Sequence, residues 1–194
     1  MNNPSLFSSE HLKLSPIDSE KDAPVEAALT MNLDYVRQIQ PEMRRPLSTF
    51  EVKAYHTELL KELKKGQTKY HFVIRLRDDP DEKMIGFIRF QWIEWSNSQA
   101  FLQFAIGDPE MRTRYAHEAL ALAMQYAFDE LNLFRLSCTI PEYDETAWKL
   151  HESAGFVREA SQREAVYDRG RRWSLYCYGI LRSEWAENQK EVQP

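Results

Sequence analysis

Glycine is scarce, at six of 194 residues, and no internal repeat or low-complexity stretch is present. Cysteine is scarcer: Cys138 and Cys177 are the two, in no metal-type spacing. Two cysteines in a chain of this size do not make a disulfide scaffold, and a reducing compartment is the simpler reading. No apolar run approaches the roughly 20 residues that a membrane helix needs. Met1 to Glu10 is polar, with no basic stretch leading into an apolar one. No signal peptide is therefore expected, and the expected location is the cytoplasm. Basic residues are outnumbered, 25 against 30 acidic ones. The net charge of -5 and the lack of a basic run argue against nucleic acid or an anionic membrane as the main partner. The same charge is permissive of a cationic substrate.

What is there supports a sizeable core. Hydrophobic residues make up 43% and aromatic ones 12%, and the length fits one domain. Residues 1–10 are expected to be a loose tail, 11–185 the domain, and 186–194 a polar tail that frays. Leu12 and Leu14 alternate in a short strand at His11 to Pro16. Ser19 to Gln38 reads as one helical region. Ser48 and Glu51 have capping-box spacing and start a second helix that runs to Gly66. Strands follow at Lys69 to Arg77, Met84 to Glu94 and Ala100 to Ile106. Arg114 to Leu131 is a helix with Ala116, Leu120, Ala123 and Ala127 on one face. Phe134 to Ile140 is a strand and Asp144 to Ala154 a short helix. Two last strands flank the turn Asp168-Arg169-Gly170. Strands interleaved with helices predict an α/β domain, a mixed sheet with helices on its faces.

Specific stretches carry a resemblance. The third strand of the middle group runs into Ile106-Gly107-Asp108-Pro109-Glu110. Asn132-Leu133-Phe134-Arg135-Leu136 leads into the next strand. Leu150-His151-Glu152-Ser153-Ala154-Gly155-Phe156-Val157-Arg158-Glu159 is similar to an LxExxGFxxE helix-to-strand passage. Arg163 to Arg171 and Leu181 to Trp185 follow in order. In this series the chain resembles the GNAT superfamily of acyl-CoA N-acyltransferases, in particular its RimJ/RimL branch, from about residue 11 to residue 185. The resemblance implies a single domain with a mostly antiparallel sheet of six or seven strands and about four helices. It implies direct transfer of an acetyl group from acetyl-CoA, without a metal, to a primary amine. The acceptor would be a protein N-terminus or a small molecule, and the enzyme a monomer or homodimer.

An acetyl-CoA enzyme must hold a diphosphate, and free amides at a helix N-terminus do this. Met111-Arg112-Thr113-Arg114-Tyr115-Ala116-His117 lies between a strand and a long helix, the place the resemblance implies. Arg112 and Arg114 add positive charge. The family pattern Q/R-x-x-G-x-G/A is met poorly, because its first glycine is missing. The resemblance also implies that the strand at Phe104, Ala105 and Ile106 splays to make a pantetheine slot and supplies an oxyanion donor from its main chain.

For the base, the resemblance points to Glu159, three residues after Phe156. His151 stands at the tyrosine position of A-x-x-L-Y-x-x-x-G-F and is a candidate acid, with packing as its alternative. Asp144, Ala147 and His151 share one side of their helix at i, i+3 and i+7. Asp144 also reads as an N-cap. Tyr35, Trp92 and Glu94 are candidates for an acceptor pocket, against the plainer reading of core and sheet packing. A second reading of the whole chain is a non-catalytic module of the same fold, motivated by the missing loop glycine and by Ala147, where RimL-type sequences have serine.

Overall fold

The computed structural model describes residues 6–39 and 45–192, the side chains of 191 and 192 excepted. Seven strands form one sheet: β1 (Leu12–Ser15), β2 (Tyr70–Leu76), β3 (Met84–Glu94), β4 (Gln99–Ile106), β5 (Arg135–Pro141), β6 (Val157–Asp168) and β7 (Arg171–Leu181). Their order is β1-β2-β3-β4-β5-β7-β6. The helices are α1 (Ser19–Leu29), α2 (Leu33–Ile39), α3 (Thr49–Lys65), α4 (Pro109–Gln125), α5 (Glu145–Ser153) and α6 (Arg182–Val192). A π-turn, Tyr126–Glu130, closes α4.

β3 shows why the sheet is central. Met84 to Phe90 is buried on both faces. Successive side chains alternate. Phe87 joins Tyr35 and Ile39 of α2 on one face. Ile88 and Phe90 join Leu120 of α4 and Leu136 of β5 on the other. Each such side chain contributes about 1.5–3 kcal/mol on leaving water.

Among the described residues the helices number six where about four were expected, for two local reasons. Ser19 to Gln38 is broken after α1. Thr30 Oγ1 donates to the Ala27 carbonyl at 2.6 Å and accepts from the Leu47 amide at 2.9 Å. Asn32 then caps α2, its Oδ1 accepting from the Asp34 amide at 3.0 Å. At the other end, residues 186–192 continue α6 rather than fraying, and Trp185 anchors that helix on Phe128 with ring centroids 5.2 Å apart. The expected N-terminal tail is also packed from Phe7 onward. The Phe7 ring lies 5.6 Å from Tyr126, and its carbonyl accepts from the Leu14 amide at 2.7 Å.

Two buried side-chain pairs fix α1. Arg75 grips Asp22 with two bonds, of 2.7 and 2.9 Å. His56 Nε2 donates to Glu26 Oε2 at 2.5 Å. Among the described residues no helix is long and apolar enough to cross a membrane.

The feature that positions the site is a fault in the sheet. β3 and β4 pair antiparallel from Glu94↔Gln99 to Gly86↔Ile106. β4 and β5, the parallel pair, match only at Gln99↔Arg135, Ala100↔Leu136 and Phe101↔Ser137. Beyond Phe101 the two strands part, and one edge of β4 is left without a strand partner.

Candidate active site

A cavity of about 340 Å³ lies in that gap. β4 and β5 form its sides through residues 101–106 and 138–141. α5 contributes Asp144, Ala147, Leu150 and His151; α2 contributes Asp34, Tyr35, Arg37 and Gln38. Arg112 and Ala116 of α4, with Val166 and Tyr167 near the tip of the β6–β7 hairpin, complete it.

The open edge of β4 has a definite polarity. The Arg135 amide donates to the Ser98 carbonyl, towards β5, and the Gly107 amide donates to the Ile85 carbonyl, towards β3. Main-chain groups alternate sides along a paired strand. Those of Leu102, Phe104 and Ile106 therefore face the gap, whereas those of Ala105 bond towards β3. Phe104 and Ile106 present their main-chain amides to the cavity wall. Ala105 borders the cavity without offering it an amide.

The expected diphosphate loop is not a loop. Residues 111–117 lie inside α4, which starts at Pro109 behind the N-cap Asp108. Asp108 Oδ1 accepts from the amides of Glu110 and Met111 at 2.9 and 3.0 Å. The Asp108 carbonyl accepts from the Arg112 amide at 2.8 Å. An aspartate followed by proline is itself a helix-start signal, and it stands in the sequence. Of the residues expected here, Arg112 and Ala116 border the cavity. Met111 packs into the core and Tyr115 is buried against the His11 ring at 5.9 Å. Thr113 and His117 are exposed, and Thr113 Oγ1 donates to the Pro109 carbonyl at 2.9 Å. Arg114 is exposed and lies over the Tyr115 ring at 5.1 Å.

On α5, Asp144 is the N-cap, accepting from the Ala147 amide at 3.2 Å, and its other oxygen lies 3.6 Å from Arg112. The Ala147 carbonyl accepts from His151 Nδ1 at 2.8 Å. This fixes the tautomer and leaves Nε2 as an acceptor. Burial pushes the His151 pKa down to about 4, against the favourable bond to Ala147. The ring, packed between Phe104 and Phe156, is neutral near pH 7. With Nδ1–H bonded to Ala147, the neutral ring leaves Nε2 without a proton, which does not suit the acid role expected of it.

Glu159 is not at the cavity. It lies on the exposed part of β6, paired with Arg135 through two hydrogen bonds, one of 2.8 Å. The Arg135 guanidinium holds its carboxyl below the usual range. The pair spans β7 over Gly179, where a Cβ would meet Arg135 at 2.5 Å and Glu159 at 2.7 Å. The expected base thus stands in an ion pair outside the cavity.

The acceptor candidates divide. Tyr35 borders the cavity, its hydroxyl donating to Glu26 at 3.2 Å. Trp92 stands 70% exposed at a bulge, with φ +49°, beside Phe101. Glu94 is exposed and bonded to Gln99 at 2.5 Å. Neither borders the cavity. Sequence reasoning missed the group that does. Arg37 Nη1 donates to Asp34 at 2.7 Å and to the Tyr143 hydroxyl at 3.3 Å, and Nη2 donates to the buried Asp168 at 2.6 Å. These residues join α2, the turn before α5 and the hairpin tip.

A sheet opened between two parallel strands, with a cavity along the free edge of one of them, is the feature that sets this fold apart. The chain belongs to the GNAT acetyltransferases: the family described as "Acetyltransferase (GNAT) domain" matches residues 11–157. It is similar to the prophage-derived uncharacterized N-acetyltransferase YokL of Bacillus subtilis, 23% identical over 110 residues, 57% of this chain and 62% of that protein. It is also similar to the spermidine N(1)-acetyltransferase of Vibrio cholerae, 25% identical over 56% of this chain and 62% of that protein. The matched region thus spans about three-fifths of these curated relatives' lengths. A crystal structure of spermidine N-acetyltransferase from Vibrio cholerae in complex with CoA and spermine superposes with a TM-score of 0.71, at 23% identity, covering 92% of this chain and 99% of that one. That likeness is one of fold.

GNAT acetyltransferases use acetyl-CoA. The gap fits its pantetheine arm, with an open strand edge on one side and Cys138, Ile140 and Leu150 on the others. The start of α4 does not fit its diphosphate, because the amides that would hold it are bonded to Asp108.

Proposed function

We propose that the protein is an N-acetyltransferase that moves the acetyl group of acetyl-CoA to a primary amine of a small cationic molecule, by direct attack in a ternary complex. The observation that carries this reading is the cavity between the parted strands β4 and β5, with the free edge of β4 along one side. Acetyl-CoA supplies an activated thioester when bound. The chain's own part is to bind, orient and polarise. The Phe104 amide on the free edge is the donor for the carbonyl oxygen, where negative charge grows during attack. Apolar side chains of β5 and α5 exclude water. Asp34 on the cavity wall favours a cationic acceptor at the other end, and Arg37 ties it to the buried Asp168. The name of the Vibrio relative supports a polyamine-like acceptor. The motif series at residues 132–185 supports the RimJ/RimL branch, whose acceptors include protein N-termini.

The test is an acetyl-transfer assay read by mass spectrometry, with acetyl-CoA and a panel of spermidine, a short diamine and a peptide with a free N-terminus. Acetylated polyamine or diamine is expected to exceed acetylated peptide. No acetylated product from any amine would overturn the enzyme reading. The self-capped start of α4 favours what then remains, a non-catalytic binding module of this fold.

A further inference from the structure

We propose that the slot recognises an acylated pantetheine arm alone, and that the nucleotide diphosphate end of acetyl-CoA adds no affinity. The inference rests on the acyltransferase reading of the cavity and specifies the ligand that this cavity takes.

The first four amides of a helix are the ones free to hold a phosphate. At α4 none remains. Pro109 has no N–H. The amides of Glu110 and Met111 bond the Asp108 carboxylate, and that of Arg112 bonds the Asp108 carbonyl. A phosphate arriving here meets a carboxylate already in its place.

The local charge has the wrong sign as well. Around the start of α4, Asp108, Glu110 and Asp144 outnumber Arg112 and Arg114 by one charge. Arg112 lies 3.6 Å from Asp144, and Arg114 lies over the Tyr115 ring. The one glycine near the turn, Gly107, offers no opening. A Cβ there would meet Leu29 at 2.7 Å, and its amide and carbonyl bond Ile85 and Asn32. The cavity, at about 340 Å³, lies at the small end of ligand sites.

The strand gap is intact, by contrast. The free edge at Phe104 and Ile106 is a hydrogen-bonding rail for the amides of a pantetheine arm, and it needs no phosphate.

Calorimetric titration of the full chain decides between the two ends of the molecule. The ligands are acetyl-CoA, acetyl-pantetheine and adenosine 3′,5′-bisphosphate. Acetyl-pantetheine is expected to bind within about tenfold of acetyl-CoA, with no heat from the bisphosphate. Acetyl-CoA binding more than about tenfold tighter, or measurable binding of the bisphosphate, overturns this inference and leaves the acetyltransferase reading standing. Failure of both thioesters to bind overturns the inference and that reading together. In a second measurement, Asp108→Ala frees two amides and removes a negative charge. It is expected to raise the acetyl-CoA affinity several-fold while leaving that for acetyl-pantetheine unchanged. Equal changes for the two thioesters would count against the argument.

Discussion

Replacing Arg37 by methionine tests the acceptor end of the cavity most directly. The guanidinium bonds Asp168 at 2.6 Å, Asp34 at 2.7 Å and Tyr143 at 3.3 Å. The Asp168 side chain is 7% exposed, and its other cation, Arg169, is 3.5 Å away and 85% exposed. Arg37→Met therefore leaves a carboxylate in a low-dielectric place with one poor partner. Stranding a fully buried charge costs about 3–5 kcal/mol. Arg37 is 23% exposed, so water fills part of its space. The lower figure for a charged hydrogen bond, about 2 kcal/mol, is the one to expect. In a chain of this size that lowers Tm by roughly 4–8 °C. The same change loosens three elements around the acceptor end, so KM for the amine should rise by about tenfold with a smaller change in kcat. Arg37→Lys, which keeps charge without the fork, should fall between. Thermal unfolding by circular dichroism and initial rates against amine concentration read both effects. A Tm within 1 °C of the parent, together with an unchanged KM, would refute the reasoning.

Glu159→Gln should leave kcat within about twofold, because the pair it breaks with Arg135 lies outside the cavity and is partly solvated; a loss of two orders of magnitude would restore Glu159 as base. Asp22→Ala should cost about 3–5 kcal/mol, read by denaturant unfolding, since it strands the Arg75 guanidinium, and replacing both residues by apolar ones should recover much of that loss. His151 has a folded pKa depressed from 6.5 to about 4. The unfolded chain therefore binds the extra proton first as pH falls. Its contribution is complete above pH 6.5 and is lost as pH falls towards 4, by on the order of 3 kcal/mol. Unfolding of the parent and of His151→Phe between pH 7 and 4 isolates it, and parallel pH curves would be the contrary result.

The elements were legible where their cause was local. Ser48 and Glu51 make the capping box that their spacing predicts, with bonds of 3.3 and 2.9 Å. Arg169 and Gly170, both at positive φ, make the two-residue turn between β6 and β7. Asp144 caps α5 as its position before Glu145 and Thr146 implies. The site was less legible because its causes are not local. Glu159 sits where the β6 register shifts between Arg158 and Ala160, so alternation no longer tells which way it faces. Its partner, Arg135, is two strands away. Arg37 and Asp168 meet across 131 positions, through a topology that no spacing reveals. The start of α4 was the reverse case: Asp108-Pro109 carried a local signal, and the family pattern drew attention away from it.

The narrow join between β4 and β5 has a mechanical meaning. On one side lies a plate built from residues 12–106, on the other a plate built from residues 135–181, and three register pairs connect them. Each plate is stitched within its own stretch of sequence; the line between them carries the fewest register pairs in the sheet. A ligand lying along that line becomes an additional seam, adding hydrogen bonds where the chain has left them out. Filling the slot should therefore slow amide exchange in β5 and β7, on the far plate, as well as at the contacted edge. On that expectation, the occupant of the gap would set how stiffly the two plates are joined.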